Sequence, residues 1–255
     1  MLLDPRVPEQ AVALASGRYE PLLIDYLLAR ARENDVFVDI GANIGLFTCP
    51  VARHCRRRGG HVYAIEPVTS NVKRLRENLR LNRLEACVTV CQTALGVAAG
   101  TLTMHVVPEG EANNAVGDNM LSEGDRRIVA EQCWRRETVR MERLDNLAGE
   151  CRLNRCEWMK IDVEGAELNA LRGGVEFLKR CRPTIFGEFN PYWMRQIGQT
   201  FQDVLDFFAP LQYRAYREIH GTFIPMREEL IAKETEIPLY LLMPKEKLDR
   251  ALAGS

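Results

Sequence analysis

Four short apolar runs in this chain end at or beside an acidic residue. They are VFVDI (Val36–Ile40, with Asp39), HVYAIE (His61–Glu66), WMKID (Trp158–Asp162) and TIFGEF (Thr184–Phe189, with Glu188). A run that is continuously apolar, rather than alternating, reads as a strand buried on both faces, which is the situation of a parallel sheet covered by helices. Amphipathic stretches lie between the runs: Val72, Leu75 and Leu79 after the second, and Leu168, Leu171, Val175 and Leu178 after WMKID. Strand and helix in alternation define an α/β chain. Sheets of that kind bind ligands beyond the carboxyl ends of their strands. Asp39, Glu66, Asp162 and Glu188 therefore fall where chemistry is expected.

The remaining segments fill out this plan. Residues 1–35 read as a helical lead-in, with Tyr19, Leu22, Leu23, Tyr26 and Leu27 forming a stripe. Helices are expected over Ile44–His54, Ser70–Asn82 and Ala166–Arg180, and another capped by Thr200 with Phe201, Val204, Leu205 and Phe208 on one face. CVTVCQ, TLTMHVV and ETVRM read as strands, and YRAYREI and PLYLLM as closing strands. Residues 108–136 have little periodicity and read as a long loop or small insertion; loops of such length tend to be functional. The expected division is a lead-in (1–35), one α/β domain (36–245) and a frayed, charged tail (246–255).

Composition removes several classes of function. Lys and Arg number 34 against 35 Asp and Glu, a net charge of −1, so there is no electrostatic reason to expect nucleic-acid or membrane binding. No run reaches the roughly 18 apolar residues that span a bilayer. The start, MLLDPRVPEQ, has an acid at Asp4 and no basic stretch leading into a long apolar one, so no secretory signal is expected and the expected compartment is the cytoplasm. The 8 cysteines include no C-x-x-C pair and read as reduced thiols.

The turn after the first strand, Asp39-Ile40-Gly41-Ala42-Asn43-Ile44-Gly45, has glycines four apart, which lets the backbone turn sharply and approach a ligand. It lacks the G-x-G-x-x-G spacing of a dinucleotide turn and the Gly-Lys-Ser/Thr of a phosphate loop. This argues against a nicotinamide oxidoreductase. Glu66, at the end of the next strand, can accept hydrogen bonds from a ribose diol. A ligand with a ribose, no phosphate and a charged amino-acid end fits, and S-adenosylmethionine is such a ligand.

VDIGANIGLFT, AIEP and MKIDVEGAELNALRGG together resemble the FkbM family of S-adenosylmethionine-dependent methyltransferases, over about Tyr19 to Pro191. The resemblance implies the class I, Rossmann-like fold: a seven-stranded, mostly parallel sheet with helices on both faces and the last strand antiparallel. It also implies methyl transfer to an oxygen. Carried onto this chain, it places Asp39, Gly41, Asn43 and Gly45 in the cofactor loop, with Asp39 ordering the loop or facing the methionine part. It puts Glu66 on the ribose, Thr93-Ala94 beside the adenine, and Asp162 near the sulfonium and the acceptor.

An alcohol acceptor must lose a proton, to a base or with the help of a metal. Asp162, Glu164, Glu188 and His220 are the candidate bases; His220 lies in REIHGTF, a turn between the closing strands. Asp162, Glu188 and Asn190 could in principle hold Mg²⁺, but two carboxylates and one amide are a thin set for about six oxygen ligands. Metal-independent transfer is therefore expected, with His220, Asp162 or Glu188 taking the proton. Glu164 has a second reading, as a cap on the following helix. Asn113, Asn114, Asp118, Asn119, Arg126 and Arg127, within 108–136, suit a small-molecule or sugar acceptor. A nucleic-acid methyltransferase and a non-catalytic cofactor-binding protein are the alternatives. The first lacks net basic charge, and four retained strand-end acids argue against the second.

Overall fold

The computed structural model describes residues 1–107, 115–118, 121–132, 134–227 and 238–248. The chain divides into two compact units, one of Met1–Ala94 with Ala99–Met141 and one of Leu95–Ala98 with Glu142–Ser255.

The first unit opens with α1 (Pro8–Ser16) and α2 (Pro21–Arg30), each with proline in its first turn, where a missing N–H leaves no bond unmade. Next come β1 (Val36–Ile40), α3 (Thr48–Arg58), β2 (His61–Ile65), α4 (Thr69–Asn82) and β3 (Val88–Cys91). The three strands are parallel, with Ile40 level with Ile65 and Ile65 with Cys91. Phe37, Val38, Val62 and Ala64 from the strands, Val51 and Ala52 from α3, and Val72, Leu75 and Leu79 from α4 are all buried. α3 starts at Thr48 rather than at Ile44, because Gly45 sits at φ +92°, outside the helical region. Its last turn holds Arg56, Arg57 and Arg58, the favourable end for cations; Arg56 also donates to the Asn82 carbonyl at 3.0 Å.

A second sheet follows, in the order β4 (Ala94–Leu95), β7 (Arg135–Glu142), β5 (Gly100–Val106) and β6 (Ala115–Gly117), with α5 (Glu123–Glu131) before β7. β5 is antiparallel to β6 and β7. Part of the segment read as a long loop or small insertion over 108–136 is thus strand and helix. Asn113, Asn114 and Asn119 lie outside the described residues, as do the side chain of Arg127 and the tail from residue 249.

The second unit contains α6 (Leu144–Glu150), β8 (Trp158–Ile161), α7 (Glu167–Arg172), α8 (Val175–Cys181), β9 (Thr184–Glu188), α9 (Pro191–Gln196), α10 (Phe201–Phe208), β10 (Tyr213–Ile219), β11 (Thr222–Pro225) and β12 (Leu239–Pro244). β8 and β9 are parallel, β12 is antiparallel to β9 and to β10, and β11 closes a hairpin with β10. This is the class I α/β fold, mostly parallel and with its last strand reversed; β11 is a strand beyond the seven expected. Tyr240 stacks on Phe201 at 3.8 Å and meets the edge of Phe189 at 5.9 Å, filling the space under β12 and α10. Thr200 and Asp203 form the capping box that starts α10.

The single helix expected over Ala166–Arg180 is two. Gly173 and Gly174 break it, because a Cβ on Gly173 would lie 2.1 Å from the Gly96 carbonyl oxygen and one on Gly174 would lie 2.6 Å from Leu144. Asp145 restarts the helix by accepting from the Phe177 amide at 2.8 Å.

Candidate active site

Glu66 stands one residue past β2 and is 4% exposed. Its Oε2 accepts from the Asn43 amide at 2.9 Å. Its Oε1 accepts from the Val68 amide at 2.9 Å and from the Asn71 side-chain amide at 3.3 Å. An ionised carboxylate offers about four acceptor positions, so the protein occupies three and leaves room for one donor. A bidentate grip on a ribose diol is therefore not available to Glu66 as it stands. Burial pushes its carboxyl up to about 7, against the pull of Val68, Asn43 and Asn71.

The loop that Glu66 holds is pinned from several sides. The Gly41 and Ala42 amides both donate to the Ile65 carbonyl, at 2.9 and 3.0 Å. Asn78, fully buried on α4, donates its amide to the Ile44 carbonyl at 2.9 Å. Asp39 is fully buried and accepts from the Thr48 hydroxyl, tying the end of β1 to the start of α3. Gly41 and Asn43 have φ of +83° and +49°, so the chain passes twice through left-handed backbone here. Gly45 packs the loop: a Cβ there would lie 2.6 Å from Leu75 and 3.3 Å from the Cys49 sulfur.

The expected adenine position is built differently. Thr93 is buried, its hydroxyl donating to the Ala94 and Arg140 carbonyls at 3.0 and 3.2 Å, and Ala94 is a buried residue of β4. Nearby, Glu137 of β7 accepts from the Thr69 amide and hydroxyl at 2.9 and 2.6 Å. The second sheet is thus tied to the start of α4, three residues after Glu66. Asp118, from the expected acceptor segment, accepts from His105 Nε2 at 2.7 Å and from Arg126 at 3.0 Å. The His105 bond, then Arg126, holds its carboxyl below the ordinary range.

In the second unit, Ile161 is level with Gly187 across β8 and β9, so Asp162 and Glu188 leave neighbouring strands at one height. Lys160 Nζ donates to Asp162 Oδ2 at 2.9 Å. Glu167 holds the turn before α7: its Oε1 accepts from the Val163 and Gly165 amides at 2.9 and 3.0 Å, and the N-cap of α7 is Ala166. Burial pushes Glu167 up to about 7 despite these donors. Glu164 lies in the turn itself, at φ +54°.

Asn190 caps α9 by accepting from the Tyr192 amide at 3.0 Å. Among the described residues no three His, Cys, Asp or Glu side chains gather where they could hold a metal. His220 and Gly221, at φ +49° and +84°, are the two tip residues of the β10–β11 hairpin, and His220 is exposed. Both tip residues at positive φ make this the turn that suits a two-residue hairpin. β10 is three strands from β8, about 14 Å at ordinary strand spacing. The geometry that brings Asp162 and Glu188 together therefore leaves His220 apart.

Asn71, Asn78, Lys160 and Glu167 were not singled out from sequence. The signal was present: Asn71 and Asn78 are seven apart on the stripe of Val72, Leu75 and Leu79, and Lys160 interrupts an apolar strand. Polar residues placed where burial is expected need partners.

Residues 39–217 match the methyltransferase FkbM domain model. The chain belongs to the FkbM methyltransferase family. Methyltransferase sdnD of Sordaria araneosa is 30% identical over 212 residues, covering 72% of this chain and 79% of that one. Hexuronic acid methyltransferase AglP of Haloferax volcanii is 28% identical over 162 residues, covering 64% of this chain and 59% of that one. The crystal structure of methyltransferase FkbM from Methylobacillus flagellatus KT superposes with a TM-score of 0.52 at 17% identity, covering 83% of this chain and 44% of that longer one. At that identity the superposition speaks for the fold alone. FkbM membership implies S-adenosylmethionine as methyl donor. The loop around Asn43 fits such a group: Asn43 Oδ1 is buried without a hydrogen-bond partner, and Glu66 keeps one acceptor position open.

Proposed function

We propose that this chain methylates a hydroxyl oxygen of a small-molecule or sugar acceptor, with S-adenosylmethionine as donor. The observation that carries the reading is the Glu66–Asn43 clamp, with a buried amide oxygen left over in a loop of left-handed backbone. When bound, the donor supplies a methyl group on a good leaving group, so positioning provides most of the rate. Glu66 takes one ribose hydroxyl, and the side-chain oxygen of Asn43 takes a donor from the same ligand. Gly41 keeps the loop free of a side chain where the ligand lies, and Gly45 keeps it packed. Thr93 and Ala94 contribute a buried wall rather than a polar contact.

Asp162 takes the proton of the acceptor hydroxyl, and Glu188, on the next strand, orients the acceptor. His220 is set aside because its place is a hairpin tip. Transfer proceeds without a metal, since the Asn190 side chain already serves α9. The likeness to a hexuronic acid methyltransferase supports a sugar among the acceptor classes. The free cysteines, Cys49, Cys55 and Cys156 among them, are in keeping with a reducing compartment such as the cytoplasm. No described helix is long and apolar enough to cross a membrane.

The test is methyl transfer from labelled S-adenosylmethionine to sugar and small-molecule extracts, with transfer RNA in parallel and EDTA in duplicate. Label in sugar or small-molecule products that survives EDTA is expected. Label in RNA alone, or loss in EDTA restored by Mg²⁺, contradicts the reading.

A further inference from the structure

Every residue of β8 is buried, and its third is a lysine. Lys160 is 4% exposed, while the side chain of Asp162 is 27% exposed. Their 2.9 Å contact thus has a buried cationic end and an open anionic end. Residues two apart along a strand share a face, so the backbone itself puts the ammonium under the carboxylate. A buried ion pair adds little to stability compared with apolar residues of equal volume. A strand already filled by Trp158, Met159 and Ile161 has no packing reason to include one.

The chain beyond Asp162 is fixed too. Glu164 and Gly165 turn at φ +54° and +93°, and Glu167, 1% exposed, holds both ends of that turn through the Val163 and Gly165 amides. The aspartate is therefore gripped at its side chain from β8, and the turn that follows it is held from α7.

We propose that Lys160 is the positioning residue of the proton-accepting group: it binds Asp162 Oδ2 and leaves Oδ1 to face the acceptor hydroxyl. This rests on the O-methylation reading above. Methylation replaces O–H by O–CH₃, so one proton leaves the acceptor in each turnover. That proton goes to Asp162 Oδ1 and then to water, and Lys160 stays protonated throughout. Among the described residues, the Lys160 ammonium of β8 reaches the Asp162 carboxyl and the Glu167 carboxyl of α7 feels its charge, while Glu188 leaves the end of β9 at the same height. The lysine favours the ionised carboxylate, and the two glutamates oppose it when charged.

The experiment compares wild type with K160M, K160Q and K160R. In each, the Asp162 carboxyl carbon is titrated by NMR without ligand, and the pH profile of kcat is recorded. K160M and K160Q should raise the Asp162 midpoint and the acid limb of kcat by about one unit. They should also lower kcat tenfold or more at pH 7, with S-adenosylmethionine affinity within twofold of wild type. K160R should return the midpoint and the acid limb to their wild-type positions. Should K160M fail to fold, K160Q, which keeps a donor without the charge, carries the same test. An Asp162 titration and acid limb unmoved in K160Q overturn the positioning role. D162N with full activity overturns the base assignment instead, so the two failures are distinguishable.

Discussion

The Asn43 amide donates to Glu66 Oε2 at 2.9 Å, joining the loop after β1 to the end of β2 across 23 residues. A strand-end carboxylate is thus the clamp that shapes the loop after β1.

Glu66→Ala removes the acceptor of three protein donors and of the ligand hydroxyl. The expected loss of S-adenosylmethionine affinity is about 1.5–3 kcal/mol, the usual worth of hydrogen bonds to a charged group. Melting temperature should fall as well, because the Asn43 and Val68 amides lose their partner. Calorimetry alongside a thermal melt checks both, and affinity within twofold of wild type would remove Glu66 from the site.

Gly45→Val is expected to act on the fold. Its φ of +92° and the 2.6 Å approach to Leu75 leave no place for a side chain. A stability loss of about 1–3 kcal/mol, or more, follows from overpacking. Denaturant unfolding measures it; a variant of normal stability would show that the loop can shift away from α4.

Affinity for the cofactor should depend on pH through Glu66. Its carboxyl titrates near 7 when folded, raised by burial from an ordinary 4.5. The stability Glu66 contributes is therefore fully present below about 4.5 and is lost as pH rises through about 7; Glu167 shifts the same way. A ribose hydroxyl donates to the ionised form, so binding releases a proton. Affinity should rise roughly tenfold from pH 6 to pH 8. Calorimetry in two buffers of different ionisation enthalpy detects the proton, and pH-independent binding would contradict the assignment.

Asp162→Asn should lower kcat by about 10²-fold or more, within the range of general-base catalysis. His220→Ala should leave kcat within threefold, since His220 forms a hairpin tip. Steady-state kinetics on the same acceptor compares them. A large loss in His220→Ala with an active Asp162→Asn would reverse the two roles.

Much of this was legible in the sequence because local pattern and tertiary role agree. VFVDI is β1 to the residue, YRAYREI is β10 to the residue, and Thr200 caps α10 as its spacing with Asp203 implies. The misreadings have tertiary causes. Gly173 and Gly174 sit in a helical pattern, and only the approach of Gly96 and Leu144 shows why the helix stops. Asn190, weighed as one of a thin set of oxygen ligands, shows its other use only once the six-residue α9 that it caps is seen. Glu167 carries no local signal of its role, because nothing nearby in the sequence shows that the preceding turn folds back onto its carboxylate. His220 lies in a turn that was expected, and three-strand separation from Asp162 follows only from the order in which the strands pair.

The central claim, that the Asn43–Glu66 loop receives S-adenosylmethionine, is tested most directly by calorimetric titration of the whole chain with S-adenosylmethionine and, separately, with NAD. One-to-one binding of S-adenosylmethionine that is weakened at least tenfold by Glu66→Ala, with no heat from NAD, is the predicted result. Absence of S-adenosylmethionine binding, or NAD binding that depends on Glu66, would contradict it.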